Sequence, residues 1–352
     1  MNKLLRYFNM YKGYYSRNNV DTLSHNSLYP HPEQPASHFN PSYGTIYNPP
    51  PARIPQSKQP KTHKLHETFN PSYLGIDEYQ HQTEYVNTQT LKHLNIASKT
   101  IQEIDRIMPY GAGNQWLNVI ATNGESNIRC RMLHTKIDEV MGKLQELEGP
   151  AKSMAMTGLN VHLTRQYQAG NCTEMSIMAH HRLITEGLDA PILTVADDIR
   201  DHVYTLIGDP RDHKWGEKNT VVVDAWPIYK ATYTLKHAIY NLESRPKIIL
   251  EYPASTPSPN SINAFFHEKY PILNTTYVNQ HLASNNLPPV GNEYLKHCYK
   301  NFIPGYHRDE RVGTRDPSIH YTDGYEPRRT FDDISEDLLN RYKSSFRPMK
   351  DS

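Results

Sequence analysis

Cysteine is scarce: Cys130, Cys172 and Cys298 are the only three in 352 residues. Three thiols are too few for a disulfide framework or a cysteine-based zinc site, and neither Cys-x-x-Cys nor His-Glu-x-x-His occurs. Any thiol chemistry therefore rests on a single cysteine. An excess of either charge is also missing, since 38 Lys and Arg face 37 Asp and Glu. A net charge of +1 creates no global field for nucleic acid or an anionic membrane surface. No apolar run approaches the ~18 residues of a transmembrane helix, so no membrane span is expected. The segment Met1–Phe8 lacks a continuous apolar stretch, which argues against a Sec signal peptide. Apolar residues are few as well. They make up 37% of the chain, about 42% with the 17 glycines, below the ~45–50% usual for globular proteins. That suits a medium-sized core with polar flanks, rather than the roughly two full domains the length would allow.

Proline, by contrast, is plentiful at 26 residues, and nine of these fall within residues 1–67, including Pro49-Pro50-Pro51. The same stretch carries eight Lys or Arg against three Asp or Glu, a local excess of five positive charges. Too little apolar surface is present there to offset the ordering entropy, so residues 1–67 read as a disordered tail. Phe39-Asn40-Pro41-Ser42-Tyr43 recurs as Phe69-Asn70-Pro71-Ser72-Tyr73. Two copies do not make a solenoid; they read as two similar Asn-Pro turns or as a repeated docking peptide.

From Asp77 to Gly149 the apolar spacing is helical, with Leu91, Leu94, Ile101, Ile104 and Ile107 near a 3.6-residue period. A second run, Glu125–Glu148, starts after Asn123-Gly124 and is expected to stop at Gly149-Pro150. Residues 77–150 thus form a helical extension packing on the core. Residues 151–255, the core itself, hold a helix from Cys172, then the β-type runs Ile192–Val195, His202–Gly208, Thr220–Ala225 and Pro246–Tyr252. The intervals are too short for βαβ crossovers, which predicts an α+β fold with a short antiparallel sheet. Residues 256–352 form a C-terminal extension with a last helix over Asp332–Phe346, acidic at its start and basic at its end.

The chemistry concentrates in the middle segment. Cys172 follows the tight turn Ala169-Gly170-Asn171 and opens a helix, where the dipole and unpaired N–H groups favour a thiolate. His202 opens an apolar strand, and Asp224 ends the next one, followed by Trp226. Adjacent antiparallel strands would bring Asp224 beside His202, where a carboxylate fixes the tautomer and stabilises the cation. Trp226 would lie over that contact and exclude water. Asp201 is an alternative partner for His202, although a solvated turn position suits it better. Glu174, in the first helical turn, reads as a cap rather than a substrate contact. His180 and His181 are neighbours about 100° apart on a helix and cannot share one ion well, so no metal site is expected. Cys130 and Cys298 read as structural.

Gly-Asn-Cys-x-Glu, then Asp-His before an apolar strand, then Val-Val-Asp-x-Trp, resembles the papain-like and transglutaminase-like cysteine enzyme superfamily. The likeness is to the versions that bacterial pathogens secrete as effectors, and it covers roughly residues 160–230. It implies a papain/transglutaminase-like core, with a Cys-bearing helix on a short antiparallel sheet that bears His and Asp. It further implies Cys172 as nucleophile, His202 as general base and acid, and Asp224 as orienter. Papain-like proteases carry an oxyanion-binding glutamine six residues before the cysteine, where Gln166 stands; Gln168 is an equally placed amide, and Asn171 and Trp226 complete the candidate substrate-binding set. Thr173 and Ala225 depart from the glycine and proline frequent at those positions, without removing a reactive atom.

These readings predict a cysteine-dependent acyl-transfer enzyme acting on a host protein as protease, glutamine deamidase or transglutaminase, with no cofactor. The competing expectation is a non-enzymatic interaction protein on the same fold. The Pro/Asn/Ser-rich basic leader resembles the export regions of type III effectors. It predicts secretion from a bacterium into a host cell without a cleaved signal, assisted by a secretion chaperone at the N-terminal region. A cytoplasmic location, or a mitochondrial presequence built on Lys3, Arg6, Lys12 and Arg17, is the alternative.

Overall fold

The side chain of Asn87 accepts a hydrogen bond from the Thr90 amide and so opens a 20-residue helix, the longest among the described residues, a cap that sequence alone could suggest. The computed structural model describes residues 61–143, 149–240, 246–255, 272–303, 307 and 309–345. The strands, in chain order, are β1 (Thr62–Lys64), β2 (Thr83–Tyr85), β3 (Ile192–Asp197), β4 (His202–Ile207), β5 (Val221–Val223), β6 (Tyr233–Thr234), β7 (Lys247–Tyr252), β8 (His320–Thr322) and β9 (Asp333–Ser335). The helices longer than one turn are α1 (Thr88–Ile107), α2 (Trp116–Ala121), α3 (Glu125–Lys143), α4 (Gly149–Tyr167), α5 (Cys172–Glu186), α6 (Thr275–Ser284), α7 (Asn292–Lys300) and α8 (Glu336–Ser345). The fold is mixed α+β, as its sequence pattern predicts.

Five strands form the central sheet in the order β6-β5-β4-β3-β7, antiparallel at every step. Every residue of β3 and β4 is buried, which explains why these strands read as continuous apolar runs rather than alternating ones. β6 and β7 are the edge strands, and the exposed Lys247 and Glu251 of β7 suit that place. Helix α5 lies over β4 and β3, while α1 packs on β5 and α5. Residues Cys172, Ser176 and His180 share one line of α5, four residues apart. Ser176 Oγ donates to the Val203 carbonyl at 2.7 Å, Thr205 Oγ1 donates to the Ser176 carbonyl at 3.0 Å, and His180 Nδ1 lies 3.0 Å from Thr194 Oγ1. These bonds clamp the helix to the sheet and set its first residue at the start of β4.

Several expectations are redrawn. Residues 61–67, which sequence composition assigns to the tail, begin the described chain: β1 pairs with β9 antiparallel, and Leu65 is completely buried. The partner strand lies some 270 residues away, so composition near residue 67 carries no trace of it. The remainder of the expected tail, residues 1–60, lies outside the described residues, as does the first Phe-Asn-Pro-Ser-Tyr copy. In the second copy Asn70-Pro71 opens a one-turn helix, and Phe69 stacks on Tyr73 at 4.8 Å between ring centroids. Gly149-Pro150 does not simply stop a helix. It begins α4, since proline tolerates a first turn. The last helix starts at Glu336, after a strand that occupies Asp333–Ser335.

The C-terminal third is not a mere extension either. Tyr321, Phe331, Ile334, Leu338 and Tyr342 belong to the same hydrophobic core as the sheet. A second core joins α3, α4, α6 and α7 through residues such as Leu133, Leu163, Leu282 and Tyr294. Gly124, with φ 88°, holds the turn before α3; a Cβ there would lie 2.6 Å from the Tyr294 ring. Among the described residues no helix is long and apolar enough to cross a membrane.

Candidate active site

Cys172 is the first residue of α5, and Asn171 is its N-cap. The turn before it is tight because Gly170 has no side chain: a Cβ there would meet Glu174 Cβ at 2.7 Å and Met108 Cε at 3.0 Å. The Glu174 carboxylate accepts the Asn171 N–H at 2.7 Å and lies 3.3 Å from His134 Nε2. Burial alone would raise the Glu174 pKa, but His134 and the backbone N–H hold it below the usual carboxylate range. Glu174 is therefore the anchor of the turn that precedes Cys172. The first N–H groups of α5 have no acceptor a turn earlier in the helix, and the Asn171 side chain caps that of Glu174.

His202 and Asp224 meet as the strand pattern predicts. The β4–β5 register aligns Thr205 with Val223 and Ile207 with Val221. Continued past the end of β5, that register brings Trp226 opposite His202 and Asp224 diagonal to it, on one face of the sheet. His202 Nε2 lies 2.8 Å from Asp224 Oδ2. The same oxygen accepts from the Tyr240 hydroxyl, and Oδ1 accepts the Trp226 N–H at 3.0 Å. With Nε2 donating to the carboxylate, Nδ1 is the ring nitrogen that Asp224 does not engage. It is buried with no hydrogen-bond partner among the described residues, and the Cys172 thiol is near enough to help raise the imidazole pKa.

Burial by itself would lower the His202 pKa. The Asp224 charge and hydrogen bond, with those of Cys172, override it and raise the value well above the ordinary imidazole range. Asp224 is the mirror case: burial pushes it up, but the His202 charge and the three donors keep it low. The pair is a buried imidazolium–carboxylate contact. The rings of Trp226 and Tyr240 flank His202 at 4.8 and 5.0 Å between centroids. Cys172 is 9% exposed, His202 3% and Asp224 2%, so Cys172 is the least enclosed of the three residues.

The other candidate residues fall in different places. Trp226 covers His202 as expected and is fixed by its own bonds: its Nε1 donates to Asn114 Oδ1 at 2.9 Å, and its carbonyl accepts from Gln115 Nε2 at 3.3 Å. Asn171 is occupied in the turn, where its Oδ1 accepts from Cys130 Sγ at 3.3 Å. Gln166 lies in the last turn of α4 and Gln168 just after it, at φ 58°. Both are half-buried, and no hydrogen bond joins either side chain to the triad among the described residues. Asp201 is exposed at the β3–β4 turn with φ 51°, and it is Asp224 that holds His202. Cys130 has a histidine four residues on, with Sγ 3.7 Å from His134 Nε2, but burial pushes its thiol up. Cys298 is buried in the second core, which raises its pKa to about 11. His180 is buried and held far below its usual range. Among the described residues no group of three or more His, Cys, Asp or Glu is placed to hold a metal ion.

Sequence reasoning passes over Tyr240, Asn114 and Gln115. The adjacent amides Asn114-Gln115 are a visible signal, but nothing local ties them to a cysteine 58 residues later. No known protein family, curated protein or solved structure matches this chain.

Proposed function

We propose that the chain is a cysteine-dependent acyl-transfer enzyme with a papain- or transglutaminase-like catalytic core. The observation that carries this reading is the 2.8 Å contact of His202 Nε2 with the buried Asp224, which leaves the opposite ring nitrogen for a thiol at a helix N-terminus. Cys172 Sγ attacks a carboxamide or peptide carbonyl, and the resulting tetrahedral adduct collapses to a thioester as the amine leaves. His202 holds the thiol proton as imidazolium and delivers it to the departing nitrogen. Asp224 keeps the ring in place and the cation stable, a role worth ~10²–10⁴-fold in comparable triads. Water or an amine then takes the acyl group, regenerating the thiol.

Water on a peptide bond is proteolysis, water on a glutamine side chain is deamidation, and a lysine amine yields a cross-link. The reading extends to a secreted bacterial effector acting on a host protein, an extension that rests on the composition of residues 1–67 and on the sequence resemblance. The test is mass spectrometry of candidate host proteins incubated with the chain and with Cys172→Ala. Cleaved chains, a gain of about 1 Da or a lysine–glutamine cross-link, each dependent on Cys172, identify the reaction. Absence of any Cys172-dependent product from proteins and from activated esters overturns the enzyme reading.

A further inference from the structure

We infer that Asn114 supplies the side-chain donor for the oxyanion, the role that sequence offset assigns to Gln166 or Gln168. This inference rests on the acyl-transfer reading above. Ala112 bridges Gly170 in parallel, with the Gly113 N–H donating to the Gly170 carbonyl at 2.9 Å. The chain at Asn114 therefore runs beside the turn that delivers Cys172. Asn114 is 8% exposed, and its side-chain oxygen is bonded to a neighbouring residue rather than to water.

Its orientation is decided by chemistry. The Trp226 indole N–H can only donate, and it lies 2.9 Å from the amide, so Asn114 must present its oxygen there. The NH₂ group then points away from the indole. It makes no hydrogen bond among the described residues and is not one of the enclosed polar atoms. The same indole flanks the imidazole at 4.8 Å, so one ring positions both the base and the amide. Gln115 does not suit the role, because it is completely buried with its Nε2 donating to the Trp226 carbonyl and its Oε1 accepting the Glu310 N–H. An oriented amide beside the turn that carries Cys172, near the N-terminus of α5, is what a developing oxyanion needs.

The step is acylation. Sγ forms a bond to the carbonyl carbon, the C=O π pair moves onto oxygen, and collapse expels the leaving group with a proton from His202. The probe is p-nitrophenyl acetate, whose acylation of Cys172 releases one p-nitrophenolate in a burst. Alkylation by iodoacetamide is the control, since displacement of iodide builds no oxyanion. Asn114→Ala, and Asn114→Asp, which retains the oxygen for Trp226, should slow the burst about 10²–10³-fold. Alkylation should change far less, which also reports that each variant is folded. Trp226→Phe, which removes the N–H that orients Asn114, should slow the burst by a smaller factor. A full-rate burst in both Asn114 variants overturns the assignment, as does a loss of that size in Gln166→Ala instead. A chain that alkylates selectively at Cys172 yet gives no burst at all overturns the acyl-transfer reading itself, a result distinct from the other two.

Discussion

Removal of the Asp224 carboxylate is the most searching perturbation of this site. In Asp224→Ala three buried donors lose their acceptor: His202 Nε2, the Tyr240 hydroxyl and the Trp226 N–H. Breaking one partner of a buried ion pair costs about 3–5 kcal/mol. His202 can shed its proton once the carboxylate is gone, which favours the lower end, ~3 kcal/mol. For a chain of this size that corresponds to a Tm roughly 4–6 °C lower. The chemical loss is larger than the thermal one. Without Asp224 the imidazole is free to rotate and its pKa falls, so the thiolate loses its cationic partner, and acyl transfer should drop by ~10²–10⁴-fold or more. Asp224→Asn should lie between the two. Its amide oxygen can still accept from His202 and Tyr240, but its NH₂ then opposes the Trp226 N–H and the charge is lost. The assays are differential scanning calorimetry and the p-nitrophenyl acetate burst, run on both variants. An Asp224→Ala protein with unchanged Tm and burst rate refutes the reasoning. If Asp201→Ala were the inactive variant, the orienting role would pass to Asp201.

Iodoacetamide at mildly acidic pH should label Cys172 well ahead of Cys130 and Cys298, whose thiols burial pushes up, and His202→Ala should slow that labelling; equal labelling of all three, read by peptide mass spectrometry, counts against the site. Leu65→Ala should cost about 2–5 kcal/mol, because the side chain is completely buried although it borders a basic, proline-rich leader; urea melts giving an unchanged midpoint would remove residues 61–67 from the folded unit. The hydrogen bond to Asp332 raises the His66 pKa, followed by the opposing effect of burial. A raised value means that the contribution of His66 to stability is complete below the unfolded pKa of ~6.5 and fades as pH rises through the folded one. The Tm gap between the native chain and His66→Ala should accordingly be wider at pH 6 than at pH 9, and a pH-independent gap contradicts the pairing.

The buried triad also explains a tension in the composition. A chain with modest apolar content still encloses a histidine, a carboxylate and the tyrosine that donates to it. Each is tolerated because it is bonded: unpaired, such groups would consume a large share of the small net stability of a folded chain. Tyr240 stacks on Tyr204 at 4.4 Å and donates to Asp224, giving the site a polar centre inside an aromatic wall.

What the sequence determined by itself was local. The Gly-Asn turn before Cys172, the apolar runs of β3, β4 and β5, and the places of His202 and Asp224 at strand ends follow from turn chemistry and side-chain periodicity. Those forces act over a few residues and leave their pattern in the order of the chain. Tertiary structure decided the rest. Asn114, Gln115 and Tyr240 reach the site from 16 to 112 residues away from their partners, and β1 finds β9 across nearly the whole described chain. Such pairings arise when distant segments cover one another's buried polar groups and apolar faces. A hydrogen bond formed that way imposes no repeat on its neighbours, so the polar residues that complete the triad look, in sequence, like any other asparagine or tyrosine.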